Sequence, residues 1–188
     1  MDYQLERPLH FAGVLLILVM NGCLVFSAPR QPITHQQITR RLRSLKFFIN
    51  ELFQEYIAFH QDRNTSVPSG IPDVDISGAT VEERLQHIYS KTMLFRAHVH
   101  QVQLYHEQNW NNSEKLATCL NVVHVQCRYF ASSVRNLLRT PVPTVPALEV
   151  GPHGNKFQIR VYGWAVLRQL QDWITAVETV LTADLQDS

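Results

Sequence analysis

Histidine and cysteine are the residue types in this 188-residue chain best suited to metal binding or nucleophilic chemistry. A zinc site requires three or four such ligands held close together. His98 and His100 are two residues apart and point to different sides of a predicted helix, while His87 shares a face with His98 at a distance of three turns. This spacing predicts no metal site, and we expect these histidines to be solvated or to cap helix ends.

Motifs that would indicate catalysis are also missing from the sequence. It contains no His-Glu-x-x-His sequence, no glycine-rich phosphate loop and no nucleophile elbow. We therefore expect neither an enzyme nor a bound cofactor.

The cysteine spacing restricts disulfide formation. Cys119 and Cys127 lie in a segment of continuous helical periodicity. Eight residues at about 1.5 Å rise separate their Cα atoms by roughly 12 Å, whereas a disulfide requires less than about 7 Å. We expect two free thiols, with an intermolecular bridge or a reactive thiol as the alternative.

The N-terminal residues have the features of a secretory signal peptide. The apolar run Phe11–Met20 has the length of a signal core and is too short to span a bilayer. Small residues at the −3 and −1 positions favour cleavage after Ser27. The prediction is a signal peptide over residues 1–27 and a secreted mature domain over residues 28–188, with an uncleaved anchor over Leu9–Phe26 as the alternative.

Two sequons agree with secretion. Asn64 in NTS and Asn111 in NNS both lie among turn-forming residues between periodic segments. We expect both to be candidate glycosylation sites in loops.

Composition and charge describe one globular domain. The chain is 45% hydrophobic and 18% charged, with a formal net charge of +1. No basic tract of the kind that binds nucleic acid or an anionic membrane stands out along the sequence. We expect no nucleic-acid partner and no membrane insertion of the mature chain.

Four long segments, named A to D, repeat apolar residues every three or four positions, as amphipathic helices do. Segment A covers about residues 33–62, B begins at Thr80, C runs from the turn EQNWNNSE to about Arg139, and D runs from Lys156 to about Leu185. Thr80 and Glu83 have the spacing of a capping box. The predicted core stripes are Ile38, Leu42, Leu45, Ile49, Leu52, Phe53 and Tyr56 in A; Val81, Leu85, Ile88, Phe95, Val99 and Val102 in B; Leu116, Leu120, Val123, Cys127, Phe130, Val134 and Leu138 in C; and Ile159, Val166, Leu170, Trp173, Ile174, Val177 and Leu181 in D.

The connections between segments suggest how the helices are arranged. About 17 residues join A to B and about 16 join C to D, whereas only a short turn joins B to C. Short links join antiparallel neighbours, and long links can cross over a bundle. The prediction is an all-α, long-chain four-helix bundle, up-up-down-down, with two long crossover loops.

Segment D carries a second apolar stripe nearly opposite its core face. Phe157, Val161 and Trp164 form the stripe, and Arg160 and Arg168 lie beside it. Clustered aromatic and arginine side chains are typical of binding hot spots, so we predict a partner surface here. The alternative is that a long loop folds over the stripe and hides it.

Short motifs in D and A resemble a known family. Phe157, Arg160 and the following YGWAVLRQLQDW are similar to helix D of the interleukin-6 family, in its ciliary neurotrophic factor, cardiotrophin and leukaemia inhibitory factor branch. LFQEYIAFHQ, Leu52–Gln61, is similar to the end of helix A in the cardiotrophin members. The resemblance implies that Phe157 and Arg160 contact a receptor of the leukaemia inhibitory factor type. Arg160 replaces the family's lysine, and its planar fork differs in hydrogen-bond geometry from an ammonium group.

The resemblance also implies a second receptor contact on segment A. Phe47 lies opposite the core stripe with Arg40 and Arg43 nearby, where the family contacts the shared glycoprotein-130 receptor. The implied protein is a secreted monomeric cytokine that clusters class I receptors, with or without a nonsignalling co-receptor, and triggers JAK-STAT signalling. A single stray surface aromatic is the simpler explanation of Phe47.

A secreted lipid carrier of the exchangeable-apolipoprotein kind is the alternative function. Such carriers also use long amphipathic helices, with broad apolar faces and lysine-rich flanks. This chain has only four lysines, and its aromatic residues gather in one place. Both features favour the cytokine prediction.

Overall fold

Four helices make up the fold in the computed structural model, which describes residues 35–61, 68–110, 114–148 and 155–186. They are α1 (His35–His60), α2 (Val81–Asn109), α3 (Glu114–Arg135) and α4 (Lys156–Gln186). These described ranges contain no β-strand, and all of them belong to one compact unit, residues 33–188. The all-α prediction is confirmed, and segments A to D correspond to α1 to α4. Residues 1–27 and both sequons, Asn64 and Asn111, lie outside the described residues.

Each helix packs against two others around one core. α1 contacts α3 and α4, and α2 contacts the same two helices. Every residue predicted for the core stripes of α1 and α4 is buried, and Trp173 is the largest of the fully buried side chains. This burial of one stripe per helix supplies the main stabilising force of the fold.

Two of the predicted core residues are corrected by the structure. Val81 is 45% exposed because it is the first residue of α2, where the helix has only begun to enter the bundle. Leu138 is half-buried because α3 ends at Arg135, before the predicted end near Arg139.

Side-chain hydrogen bonds cap the N-terminal ends of α2 and α4. The capping box is confirmed, because Thr80 Oγ1 accepts a bond from Glu83 N at 3.2 Å and Glu83 Oε2 accepts one from Thr80 N at 3.1 Å. At α4, Asn155 Oδ1 accepts bonds from the backbone N–H groups of Phe157 and Gln158, both at 3.1 Å. Asn155 thereby satisfies two of the helix's unpaired donors and fixes where α4 begins.

A contact from α2 holds the chain just after α3. Leu137 N donates to Val134 O at 2.9 Å, which tightens the last turn. The Glu82 carboxylate then accepts bonds from the backbone N–H groups of Arg139 at 2.9 Å and Thr140 at 3.0 Å. The helix ends early because a side chain distant in sequence satisfies these donors.

The described part of the first long loop, residues 68–80, packs against the bundle. Ile71, Val74 and Ile76 contact the hydrophobic core. Lys91 of α2 donates to the carboxylate of Asp73 and to the backbone oxygen of Asp75. These contacts fix the loop beside the first half of α2.

Both cysteines of α3 are free thiols, as predicted. Cys127 is fully buried, and burial raises the pKa of its thiol to about 12. Within the described residues, no helix combines the length and apolar character needed to cross a bilayer.

Candidate functional site

An exposed Phe157 and a half-buried Arg160 form a pair at the start of α4. The Phe157 side chain is 51% exposed, and the described part of the long loop before it leaves that surface open. The Arg160 guanidinium lies 5.8 Å from the centre of the Phe157 ring. A cation–π contact at this distance holds the two side chains together as one unit.

Tyr56 fixes this pair to the end of α1. Its hydroxyl donates to the backbone oxygen of Arg160 at 3.1 Å. The approach is possible because position 163 is glycine: a Cβ there would lie 2.2 Å from the Tyr56 hydroxyl oxygen. Burial raises the pKa of Tyr56, so the hydroxyl remains a donor at physiological pH. The start of α4 is therefore a rigid platform rather than a frayed end.

The rest of the predicted stripe is increasingly buried along α4. Val161 is half-buried, and Trp164 is partly buried and packs against the core. The Trp164 ring lies 6.2 Å from the ring of Phe53 on α1. Arg168 is exposed and pairs with Asp172 one turn later. Phe157 is thus the most accessible aromatic group at this end of the helix, and the half-buried Arg160 lies beside it.

The second predicted surface lies on α1. The Phe47 side chain is 59% exposed and meets the edge of the Phe48 ring at 5.4 Å, while Phe48 packs against the core. Arg40 and Arg43 are exposed on the same helix. Phe47 precedes Tyr56 by nine residues, or about 13 Å along the helix axis. The predicted residues therefore form two separate surfaces.

An aromatic and histidine cluster that the sequence did not reveal lies next to Phe157. The Lys156 ammonium lies 5.8 Å from the centre of the Trp110 ring, which stacks against His106 at 5.5 Å. His60, at the end of α1, approaches Trp110 at 4.9 Å. The ends of α1 and α2 and the start of α4 bring these residues together, so no spacing within one segment could predict the cluster.

The prediction that His98 is solvated or caps a helix end is wrong, because His98 lies in the core. It is 1% exposed, and its Nδ1 lies 2.7 Å from the hydroxyl of Tyr162 on α4. Burial lowers the pKa of its imidazole to about 4, so the ring is neutral near pH 7. Tyr162 lies outside the predicted core stripe of segment D, and this is why the pair was missed.

The other histidines make individual polar contacts. His87 Nδ1 accepts a bond from the backbone N–H of Ser77 at 2.8 Å. His124 Nε2 lies 2.9 Å from the Arg96 guanidinium, and the His100 ring lies 5.2 Å from that of His124. Across the part of the chain that the structure describes, no three ligand-type side chains come close enough to hold a metal ion.

No protein-family model matches the chain, and no curated protein sequence is significantly similar to it. The function is therefore inferred from the geometry of the two surfaces.

Proposed function

We propose that this protein is a secreted helical cytokine of the interleukin-6 type, which clusters class I receptors and triggers JAK-STAT signalling. The observation that carries the proposal is the rigid, half-exposed Phe157–Arg160 pair at the start of α4. It stands where the resemblance places contact with a receptor of the leukaemia inhibitory factor type.

We infer an up-up-down-down topology from contacts along the helices. Lys46 pairs with Glu178 and Tyr56 bonds to Arg160, so residue numbers fall along α4 as they rise along α1. The other contacting helices are antiparallel in the same way. For α2 and α4 the contacts are Arg84 with Asp184 and His98 with Tyr162, and for α2 and α3 they are Glu82 with Thr140, which follows α3, and Arg96 with His124. For α1 and α3 they are Arg41 with Tyr129 and Glu55 with Lys115.

The loop lengths support that topology. Residues 61–80 and 136–155 join helices that would run in the same direction, whereas residues 110–113 join antiparallel neighbours. α1 has 26 residues and is therefore about 39 Å long. An extended loop of this size can span roughly 65 Å, enough for a crossover.

The chemistry of the Phe157–Arg160 pair indicates what its partner must provide. A half-exposed ring gains free energy by entering an apolar pocket, and the adjoining guanidinium favours a carboxylate or carbonyl group at the pocket rim. Arg160 Nε is buried and has no acceptor among the described residues. An aromatic anchor beside an arginine is the arrangement that dominates many binding interfaces.

The second surface supports the clustering of two receptor chains. Phe47, Arg40 and Arg43 lie on α1, separated from Phe157 along the helix axis. We assign them to a receptor of the glycoprotein-130 type. One molecule with two separate surfaces can bring two receptors together, which is the event that starts JAK-STAT signalling in the family it resembles.

The variant Phe157→Ala with Arg160→Ala tests this function. Each truncation should remove about 2 kcal/mol of binding free energy, so affinity for the receptor ectodomain should fall roughly several-hundredfold. STAT phosphorylation in responsive cells should fall in parallel. Unfolding stability should change little, about 0.5 kcal/mol for each surface substitution.

Trp173→Ala on the same helix is the matched control. Trp173 is fully buried, so its loss should destabilise the fold by roughly 3–5 kcal/mol through a cavity. A double variant that signals at wild-type potency would refute the receptor assignment. Helix gained on adding lipid vesicles, seen by circular dichroism, would instead support a lipid carrier.

A further inference from the structure

Two segments of the chain carry positive charge without any carboxylate. Residues 35–50 of α1 include Arg40, Arg41, Arg43 and Lys46, and residues 115–148 include Lys115, Arg128, Arg135 and Arg139. Neither segment contains an aspartate or a glutamate. Because α1 packs against α3, folding places these segments side by side. The small net charge of the whole chain conceals this cationic face.

Two arginines from different helices meet at one aromatic ring. The Arg41 guanidinium of α1 lies 5.6 Å from the centre of the Tyr129 ring of α3, and the Arg128 guanidinium lies 5.4 Å from the same point. Tyr129 is itself 42% exposed. Cation–π contacts hold both guanidinium groups against a surface that a ligand can reach.

An open cleft of about 550 Å³ adjoins this ring. Its walls mix polar and apolar surface, and its lining residues are Gln37, Arg40, Arg41, Ser44, Gln126 and Tyr129. Amide and hydroxyl groups therefore stand beside the guanidinium groups. Such a wall can bond both to anionic groups and to neutral hydroxyls.

No carboxylate of the described residues forms an ion pair with the arginines around the cleft. The ion pairs found among the described residues involve Lys46, Arg84, Lys91, Lys115 and Arg168. Within the described ranges, Arg40, Arg41 and Arg128 have no carboxylate partner. Like charges gathered without counter-charges repel one another, so binding an anion would relieve the repulsion.

We propose that the α1–α3 cleft binds a linear sulfated polysaccharide of the glycosaminoglycan class. The guanidinium fork matches the geometry of a sulfate group, and the exposed Tyr129 ring offers a flat apolar surface for a sugar ring. From Arg128 to Arg135 the cations extend about 10 Å along α3, which suits a polymer with repeated charges better than a single ion. Single-stranded nucleic acid would need a series of stacking aromatics, and the cleft lining has one.

This site is separate from the Phe157–Arg160 surface and shares Arg40 with the second surface on α1, so the test variants leave Arg40 in place. It depends on the proposed function only for secretion, which would bring the protein to extracellular polysaccharide. Its test is the affinity of the folded protein for a size-defined heparin oligosaccharide, measured by titration calorimetry. Arg41→Gln with Arg128→Gln should weaken binding about tenfold or more, because each loses a charge-assisted contact. The matched control, Lys156→Gln with Arg168→Gln, removes the same charge from α4, outside both cationic segments, and should change affinity less than about twofold.

Two further binding measurements identify the chemistry of the ligand. Fully desulfated heparin should not bind, and vesicles containing phosphatidylserine should not compete with the oligosaccharide. Equal losses in both double variants, or equal binding of desulfated heparin, would overturn the proposal. Binding to vesicles without binding to heparin would overturn it in favour of a lipid surface.

The receptor variant separates this proposal from the proposed function. Phe157→Ala with Arg160→Ala should keep heparin affinity while losing receptor affinity. Arg41→Gln with Arg128→Gln should keep STAT signalling on cells whose surface glycosaminoglycans have been enzymatically removed. Loss of heparin binding in the Phe157 and Arg160 variant would place the polysaccharide on the receptor surface and refute the cleft assignment.

Discussion

Gly163 determines how the Phe157–Arg160 pair is attached to the bundle. The absence of a side chain lets the Tyr56 hydroxyl reach the backbone oxygen of Arg160, which joins the end of α1 to the start of α4. Glycine inside a helix costs about 1 kcal/mol relative to alanine. Its presence at this position is explained by the close approach of Tyr56, since only glycine leaves room for it.

Replacing Gly163 with alanine should lower stability despite the better helix propensity of alanine. The new methyl group would lie 2.2 Å from the Tyr56 hydroxyl oxygen and 2.8 Å from Cζ, so the buried ring must move. Overpacking of this kind costs about 1–3 kcal/mol, which exceeds the propensity gain. Thermal unfolding should show a lower melting temperature, together with weaker receptor binding.

A double-mutant cycle with Tyr56→Phe isolates the contact. Tyr56→Phe alone should destabilise by about 1 kcal/mol through the lost hydrogen bond. Combined with Gly163→Ala it should be less destabilising than the sum, because the closest clashing atom is gone. A Gly163→Ala protein with a higher melting temperature than the wild type would show that the Tyr56 ring can move aside without loss of folding stability.

At the scale of the helices, periodicity predicted the core well and the ends poorly. The stripe from Ile38 to Tyr56 is buried throughout because the apolar pattern matches the helical repeat. The predicted end of α3 was wrong because Glu82, far away in sequence, caps the turn that follows the helix. The Thr80 capping box was predicted correctly because all of its interactions are local.

The candidate sites could likewise be predicted where one helix carries the whole pattern, and could not where two helices meet. Phe157 could be predicted because an aromatic residue off the core stripe is visible in one helix alone. The burial of Trp164 against Phe53 was not visible, since it depends on how α1 and α4 meet. The cluster around Tyr129 likewise needs both α1 and α3, and the small net charge of the whole chain gives no sign of it.

The two thiols of α3 should react at very different rates. In native protein beginning at Ala28, Cys119 is partly exposed and should react slowly with a maleimide, because burial raises the pKa of its thiol. Cys127 is fully buried and should be protected. Mass spectrometry should count at most one label before denaturation and two afterwards, without a reductant.

The variant Cys119→Ser is the control, because only Cys127 then remains in protein that begins at Ala28. Its single thiol should be labelled only after unfolding. Rapid native labelling of this variant would show that α3 opens in solution, and an unlabelled denatured wild type would indicate a disulfide.

At the scale of the whole molecule, charge is distributed unevenly between the two sides of the bundle. α1 and α3 each contain two more Lys and Arg residues than Asp and Glu residues, whereas α2 and α4 each contain three of either sign. Among the four helices, the cationic excess is therefore confined to α1 and α3. Such asymmetry can steer the approach of an anionic partner toward one side.

Buried histidine also makes the stability of the whole molecule depend on pH. The folded state holds the pKa of His98 at about 4, whereas an unfolded imidazole titrates near 6.5. Between these values the unfolded state binds the additional proton, so stability is complete above about pH 6.5 and falls as pH is lowered. The loss from this residue should reach about 2–3 kcal/mol by pH 4.5, measured by urea unfolding.

Comparison with His98→Gln isolates the contribution of this one imidazole. Lowered carboxyl pKa values at Asp73 and Glu82 also reduce stability as pH falls, but they act equally in both proteins. The variant should therefore lose about 2 kcal/mol less than the wild type between pH 7 and pH 4.5. His100→Gln changes an exposed ring and should keep the wild-type slope. An unchanged slope in His98→Gln would mean that His98 takes up its proton in the folded state, through an opening between α2 and α4 that admits water to Tyr162.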